Sequence, residues 1–181
     1  MRDRWRITIT CTGAAYPSVL VVKHQPRRPG DVGRYPEQMT DDDLIRERLH
    51  FAASDGDLAA VKALIADGYD VNATDSDLRL TPLHYAARDE HLDVARYLID
   101  HGANVNAIDD ATAGDTPLAD IAQECSYEMA ELLLKAGANP LTPGWMQLNA
   151  LHRSERRKRP EGVKVHELIL DYARRRFHYA G

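Results

Sequence analysis

Three stretches of this chain align on one another without gaps, and that internal repetition limits its fold more than any other feature. Leu58 to Gly68, Leu92 to Gly102 and Tyr127 to Gly137 each run from an apolar anchor to a glycine ten residues on. Matched positions hold Val61, Ala95 and Ala130, then Leu64, Leu98 and Leu133, then Ile65, Ile99 and Leu134. Steps of three and four residues place these side chains on one face of a helix. The glycines end each helix, because glycine takes the left-handed conformation of a helix C-terminus without a Cβ clash. A shorter helix precedes each long one. Thr81-Pro82-Leu83-His84-Tyr85-Ala86-Ala87 has partial copies at Leu49-His50-Phe51-Ala52-Ala53 and at Thr116-Pro117-Leu118-Ala119-Asp120-Ile121-Ala122. Proline suits a first helical turn, where its missing N–H costs nothing, and the alanines let two helices approach closely.

Leu49, Leu83, Leu118 and Leu151 are separated by 34, 35 and 33 residues. This period, the Thr-Pro-Leu-His wording and the segments Gly102-Ala103-Asn104-Val105-Asn106-Ala107 and Asp70-Val71-Asn72-Ala73 resemble the ankyrin repeat. The resemblance covers about residues 40–175 and implies an all-α repeat solenoid, helix pairs joined by short β-hairpin fingers. It divides residues 39–181 into a cap repeat at 40–72, repeats at 73–106 and 107–140, and a C-terminal cap repeat at 141–176.

Departures from the pattern carry information. Glu47-Arg48 replace Thr-Pro in the first unit, so its first helix can run on from upstream, with Thr40 and Asp43 as a capping-box variant. Extra residues after Asn72 and Asn106 should make those fingers bulge. The fourth unit restarts at Leu151-His152, and Val163 to Ala173 repeats the ten-residue spacing with Ala173 in the glycine's place. Residues 1–38 fall outside the array. Arg4 to Thr10 alternates like a strand and Gln25 to Pro36 is rich in Pro, Gly and Arg, but so short a piece has no core of its own. It is expected to be a disordered extension or a stretch upstream of a start at Met39; a strand packed on the array is the alternative.

Charge is distributed unevenly. Residues 1–40 carry a net +4, residues 41–148 a net −14 and residues 149–181 a net +5. An acidic middle between basic ends suits basic or bipolar partners and argues against nucleic acid along the middle. The longest aliphatic run, Val19 to Val22, is four residues, against roughly twenty for a membrane span. A basic start before a mildly apolar stretch outlines an export signal, but Pro17 and the threonines spoil it. Cys11 and Cys125 make no disulfide framework and have no close Cys or His neighbours, so a reducing, cytoplasmic setting is the expectation.

Nothing points to catalysis. His50, His84 and His152 recur at one repeat position, where the resemblance implies a hydrogen bond to the histidine's own turn and to the neighbouring repeat. No phosphate loop, nucleophile elbow or His-Glu-x-x-His occurs, no cofactor or metal is called for, and the carboxylates are scattered. The chain reads as a non-enzymatic protein-interaction module of adaptor, inhibitor or immunity type, monomeric when alone. The resemblance implies partner contacts on the finger tips and the exposed ends of the inner helices, a concave surface. On this chain those are Asp75, Asp77 and Arg79 in one finger, Asp109 and Asp110 in the next, and Trp145 and Met146 in the last. The inner-helix ends supply Arg88 and Asp89, Gln123 and Glu124, and Arg156 and Arg157. Trp145 is either an anchor, as aromatics are in interface hot spots, or a cover over the last repeat's core. The run Arg153, Arg156, Arg157, Lys158, Arg159 carries the alternative, a nucleic-acid-associated protein, weakened by the lack of interleaved aromatics.

Overall fold

A computed structural model describes residues 47–108, 114–156 and 162–180. Among the described residues are eight α-helices: α1 (Arg48–Asp55), α2 (Leu58–Ala66), α3 (Pro82–Arg88), α4 (Leu92–Asp100), α5 (Pro117–Ile121), α6 (Tyr127–Lys135), α7 (Ala150–Ser154) and α8 (Gly162–Phe177). They stack as two rows. The inner row α1, α3, α5, α7 packs in sequence order, the outer row α2, α4, α6, α8 does the same, and α1 to α4, α7 and α8 pack as inner–outer pairs. The matched residues fill the space between rows: Val61, Leu64, Ala95, Leu98, Ala130, Leu133 and Leu134 are buried beside Leu49, Leu83, Leu118 and Leu151. Ala52, Ala53, Ala86, Ala87 and Ala119, also buried, form the close helix contacts.

Gly68, Gly102 and Gly137 follow α2, α4 and α6 at φ 91, 91 and 97°. The N–H of the next residue returns to the carbonyl five back (Tyr69 to Leu64, Ala103 to Leu98, Ala138 to Leu133, 2.9–3.1 Å), which satisfies otherwise orphaned carbonyls. A Cβ added at these glycines would touch nothing within 4 Å, so the demand for glycine is one of backbone conformation and not of space. Ala173 imposes no such stop. In its place α8 runs through to Phe177 and the left-handed residue becomes His178, at φ 53°.

Asparagines stitch the outer loops together. Asn72 donates its side-chain amide to the Gly102 carbonyl (3.0 Å) and accepts the Asn104 N–H (2.7 Å). Asn106 does the same with Gly137 (3.1 Å) and Asn139 (2.7 Å). Each amide thus spans one repeat step with both of its polar atoms used.

The first and last fingers differ from the expected β-hairpins. No strand occurs among the described residues; the first finger is a turn closed by the Asp75 N–H on the Leu80 carbonyl, and the last by the Gly144 N–H on the Leu148 carbonyl. The reason is visible in the first. The Asp75 carboxylate accepts the N–H groups of Asp77, Leu78 and Leu80 (2.8, 2.6 and 3.1 Å), donors that a facing strand would otherwise have used. At the start of the array, Glu47 precedes α1 without capping it, and its carboxylate takes the N–H and hydroxyl of Ser76 instead (both 2.8 Å). Thr40, Asp43 and the whole of residues 1–38 lie outside the described residues.

Candidate functional site

The finger side of the array is built by the turns that lead into the inner helices. Thr81 and Thr116 precede Pro82 and Pro117 in extended conformation, and the Thr116 hydroxyl accepts the Ala119 N–H. His84 Nδ1 accepts the Thr81 N–H (3.1 Å), which leaves the proton on Nε2 for the Asp115 carbonyl (3.0 Å). The expected double role of this histidine, toward its own turn and toward the next repeat, is therefore present at His84. His50 donates to the Ala73 carbonyl (2.9 Å), but its buried Nδ1 has no hydrogen-bond partner among the described residues; Glu47 stands where His84 has Thr81. Burial lowers the pKa of both rings, through loss of hydration of the charged form. His152 departs from the expectation: its ring is exposed, and the Asn149 side chain caps α7 through the His152 N–H.

Several side chains expected to meet a partner are used by the array itself. Asp75 is the plainest correction. It is 1% exposed, holds the first finger's N–H groups and accepts the Tyr85 hydroxyl (3.0 Å), so it shapes the finger and presents no charge at its tip. Burial, and then the Asp75 carboxylate, push the Tyr85 phenol well above its usual range. Asp77 and Arg79 are exposed beside it, Arg79 in the left-handed region at φ 58°. Arg88 forms a two-toothed ion pair with Asp120 of the next inner helix, Nη2 to Oδ1 at 2.9 Å. Asp89 accepts the Ser54 hydroxyl (2.8 Å), and His91 donates to the Ser54 carbonyl (2.9 Å). Partial burial, and then the neighbouring Asp89 charge, raise the pKa of Asp55. Gln123 and Glu124 are exposed after α5, and Arg156 after α7. Asp109, Asp110 and Arg157 lie outside the described residues.

The last finger is different in kind. Trp145 is 57% and Met146 67% exposed, so the tryptophan does not cover a core. Both belong to a tight turn, Trp145–Gln147, in which Met146 and Gln147 have φ of 57 and 59°. Neither is a glycine, and such backbone persists only where the surroundings impose it. Asp115 supplies that constraint. Its carboxylate accepts the Trp145 N–H (3.0 Å) and is ion-paired with Arg153 Nη2 (2.7 and 2.9 Å). Gly144 is buried against it: a Cβ there would sit 2.2 Å from Asp115 Oδ1. Burial raises the pKa of Asp115, while the Trp145 N–H and Arg153 oppose that rise. In sequence Asp115 is one more acid of an acidic finger segment, and Arg153 opens the basic run. Both are half-buried and bound to each other. The available signal was positional: Asp115 stands where Leu80 and Leu148 stand, immediately before the inner-helix cap.

Among the described residues no group of three or more His, Cys, Asp or Glu side chains is placed to hold a metal ion. No helix there is long and apolar enough to cross a membrane. A stack of helix pairs with projecting turns defines a repeat-scaffold protein. Comparison with known families gives the particular one: the family model for ankyrin repeats (3 copies) matches residues 49–143, more than half of the 181-residue chain, and the chain belongs to that family. No curated protein matches it. Ankyrin repeats are generally protein–protein interaction modules.

Proposed function

We propose that the finger side of this array, from the Asp77–Arg79 turn to Trp145 and Met146, docks a protein partner, with the tryptophan and methionine as anchor. One observation carries the reading: two large apolar side chains are held out from the protein on a turn whose backbone is fixed from beneath. An exposed, preorganised aromatic gives contact area at little entropic cost. The partner this surface suits has an apolar pocket with a basic rim, because residues 41–148 carry a net −14. The protein acts as an adaptor or inhibitor in the cytoplasm, a reducing compartment suited to a chain whose two cysteines make no disulfide framework.

The test begins with affinity capture from the native host, followed by titration of the purified partner. Trp145→Ala should weaken binding by about 2 kcal/mol or more, roughly thirtyfold, with an unchanged thermal melt. Normal binding by a folded Trp145→Ala protein would remove the anchor from the proposal.

A further inference from the structure

Asp115 touches three successive repeats. Its carbonyl accepts the His84 Nε2 proton from the second repeat, and its own chain continues into the Thr116 cap of the third. Its carboxylate reaches forward to the fourth, taking the Trp145 N–H and the Arg153 guanidinium. In the matched position the second and fourth repeats carry Leu80 and Leu148, which have no such reach. The acid therefore fills no general need of the fold. Gly144 completes the arrangement: it is buried, and only the absence of a Cβ lets the finger lie down on the carboxylate. Beyond Gly144 the turn holds consecutive left-handed residues, Met146 and Gln147, which non-glycine side chains disfavour, so a turn released from beneath would relax to ordinary backbone.

We propose that Asp115 is the positioning residue of the Trp145 anchor: with Arg153 and Gly144 it latches the last finger onto the end of the second finger's segment and so sets how the tryptophan is presented. The inference rests on the reading of Trp145 as an anchor for its functional meaning, but the latch itself is a property of the protein alone. Arg153 acts through Asp115, holding the carboxylate charged and aimed at the Trp145 N–H. The contact is charge-assisted and shielded from water on one side, the circumstances in which such bonds are strongest. The basic run contributes here by one half-buried member.

Backbone amide exchange in the full chain, without a partner, reads the latch at one atom. Asp115→Ala should speed exchange at the Trp145 amide by about tenfold or more, while Leu133 and Leu134 in α6 keep their protection. Asp115→Asn retains an acceptor oxygen but loses the ion pair, and should fall between the two. Gly144→Ala leaves every charge in place yet displaces the carboxylate, and should speed Trp145 exchange as Asp115→Ala does; it also serves if the alanine variant at 115 folds poorly. An unchanged Trp145 amide in these variants overturns the latch, as does a uniform loss of protection that includes Leu133. Failure of the anchor is separable: if Trp145→Ala binds the partner normally while the exchange pattern holds, the latch stands and the anchor falls. If Trp145→Ala abolishes binding while exchange is indifferent to residue 115, the reverse is true.

Discussion

His50 and His84 occupy the same place in successive repeats and are not equally well served. Both are buried and neutral, but only His84 has a donor for its unprotonated nitrogen and an acceptor for its proton. Because burial lowers both pKa values below 6.5, the unfolded chain binds more protons than the folded one as pH falls through that value. Their contribution to stability is therefore full above about pH 6.5 and is lost progressively as acid drives the pH toward the folded-state pKa values. Asp115 acts in the opposite sense at lower pH, since its raised pKa makes protonation easier in the folded state than in the unfolded. Denaturant titration at pH 7.5 and 5.5 should show a lower midpoint at the acid pH. His84→Gln should reduce that difference, and an unaltered difference would remove His84 as its source. The histidine's structural role was legible from its place in the repeated wording. The roles of Asp75 and Asp115 were not, because an acid in a finger looks solvated in sequence and only the folded turn shows which N–H groups converge on it.

Helix ends decide how the outer row is built. α2, α4 and α6 are nine residues each and stop at a left-handed glycine, whereas α8 has sixteen and passes Ala173. The spacing foretold the buried leucine positions of the outer helices, down to Ile169, but the matched Ile65, Ile99 and Leu170 are half-buried and the expected anchor Val163 is 67% exposed. It misplaced the end of α8, because the missing glycine was read as a substitution within the pattern and is in fact the loss of its stop signal. Two substitutions separate these features. Leu98→Ala in α4 empties a fully buried site flanked by repeats on both sides, and should cost about 2–5 kcal/mol. Ala173→Gly restores the family's residue but now lies inside a continuous helix, so it should destabilise by about 1 kcal/mol. Chemical denaturation measures both. A stabilising effect of Ala173→Gly would show that α8 ends at the repeat boundary in solution. The first finger's β-hairpin, implied by the resemblance, was lost for a comparable local reason, the capture of its N–H groups by Asp75.

On the scale of the molecule, the array is a row of nearest-neighbour contacts with a charge gradient laid over it. Repeat number, order and register follow from period alone, since each helix pair must bury its face against the next. Which charges remain available to a partner does not, because several are spent between repeats, as Arg88 is on Asp120 and Asp89 on Ser54. The net −14 of residues 41–148 survives this pairing, and a field of that sign draws a basic partner toward the anchor before contact. Asp109 and Asp110, outside the described residues but beside Asp115 in sequence, are suitable for testing it. Asp109→Asn with Asp110→Asn should slow association with the partner severalfold at 0.02 M salt while leaving dissociation nearly unchanged, since steering acts on the encounter and packing on the bound state. At about 1 M salt, where charges are screened beyond roughly 3 Å, the two proteins should associate at the same rate. Stopped-flow mixing across that range decides the matter: an association rate indifferent to the double substitution at low salt makes the acidic face a solubility feature, and a change confined to dissociation makes these acids direct contacts.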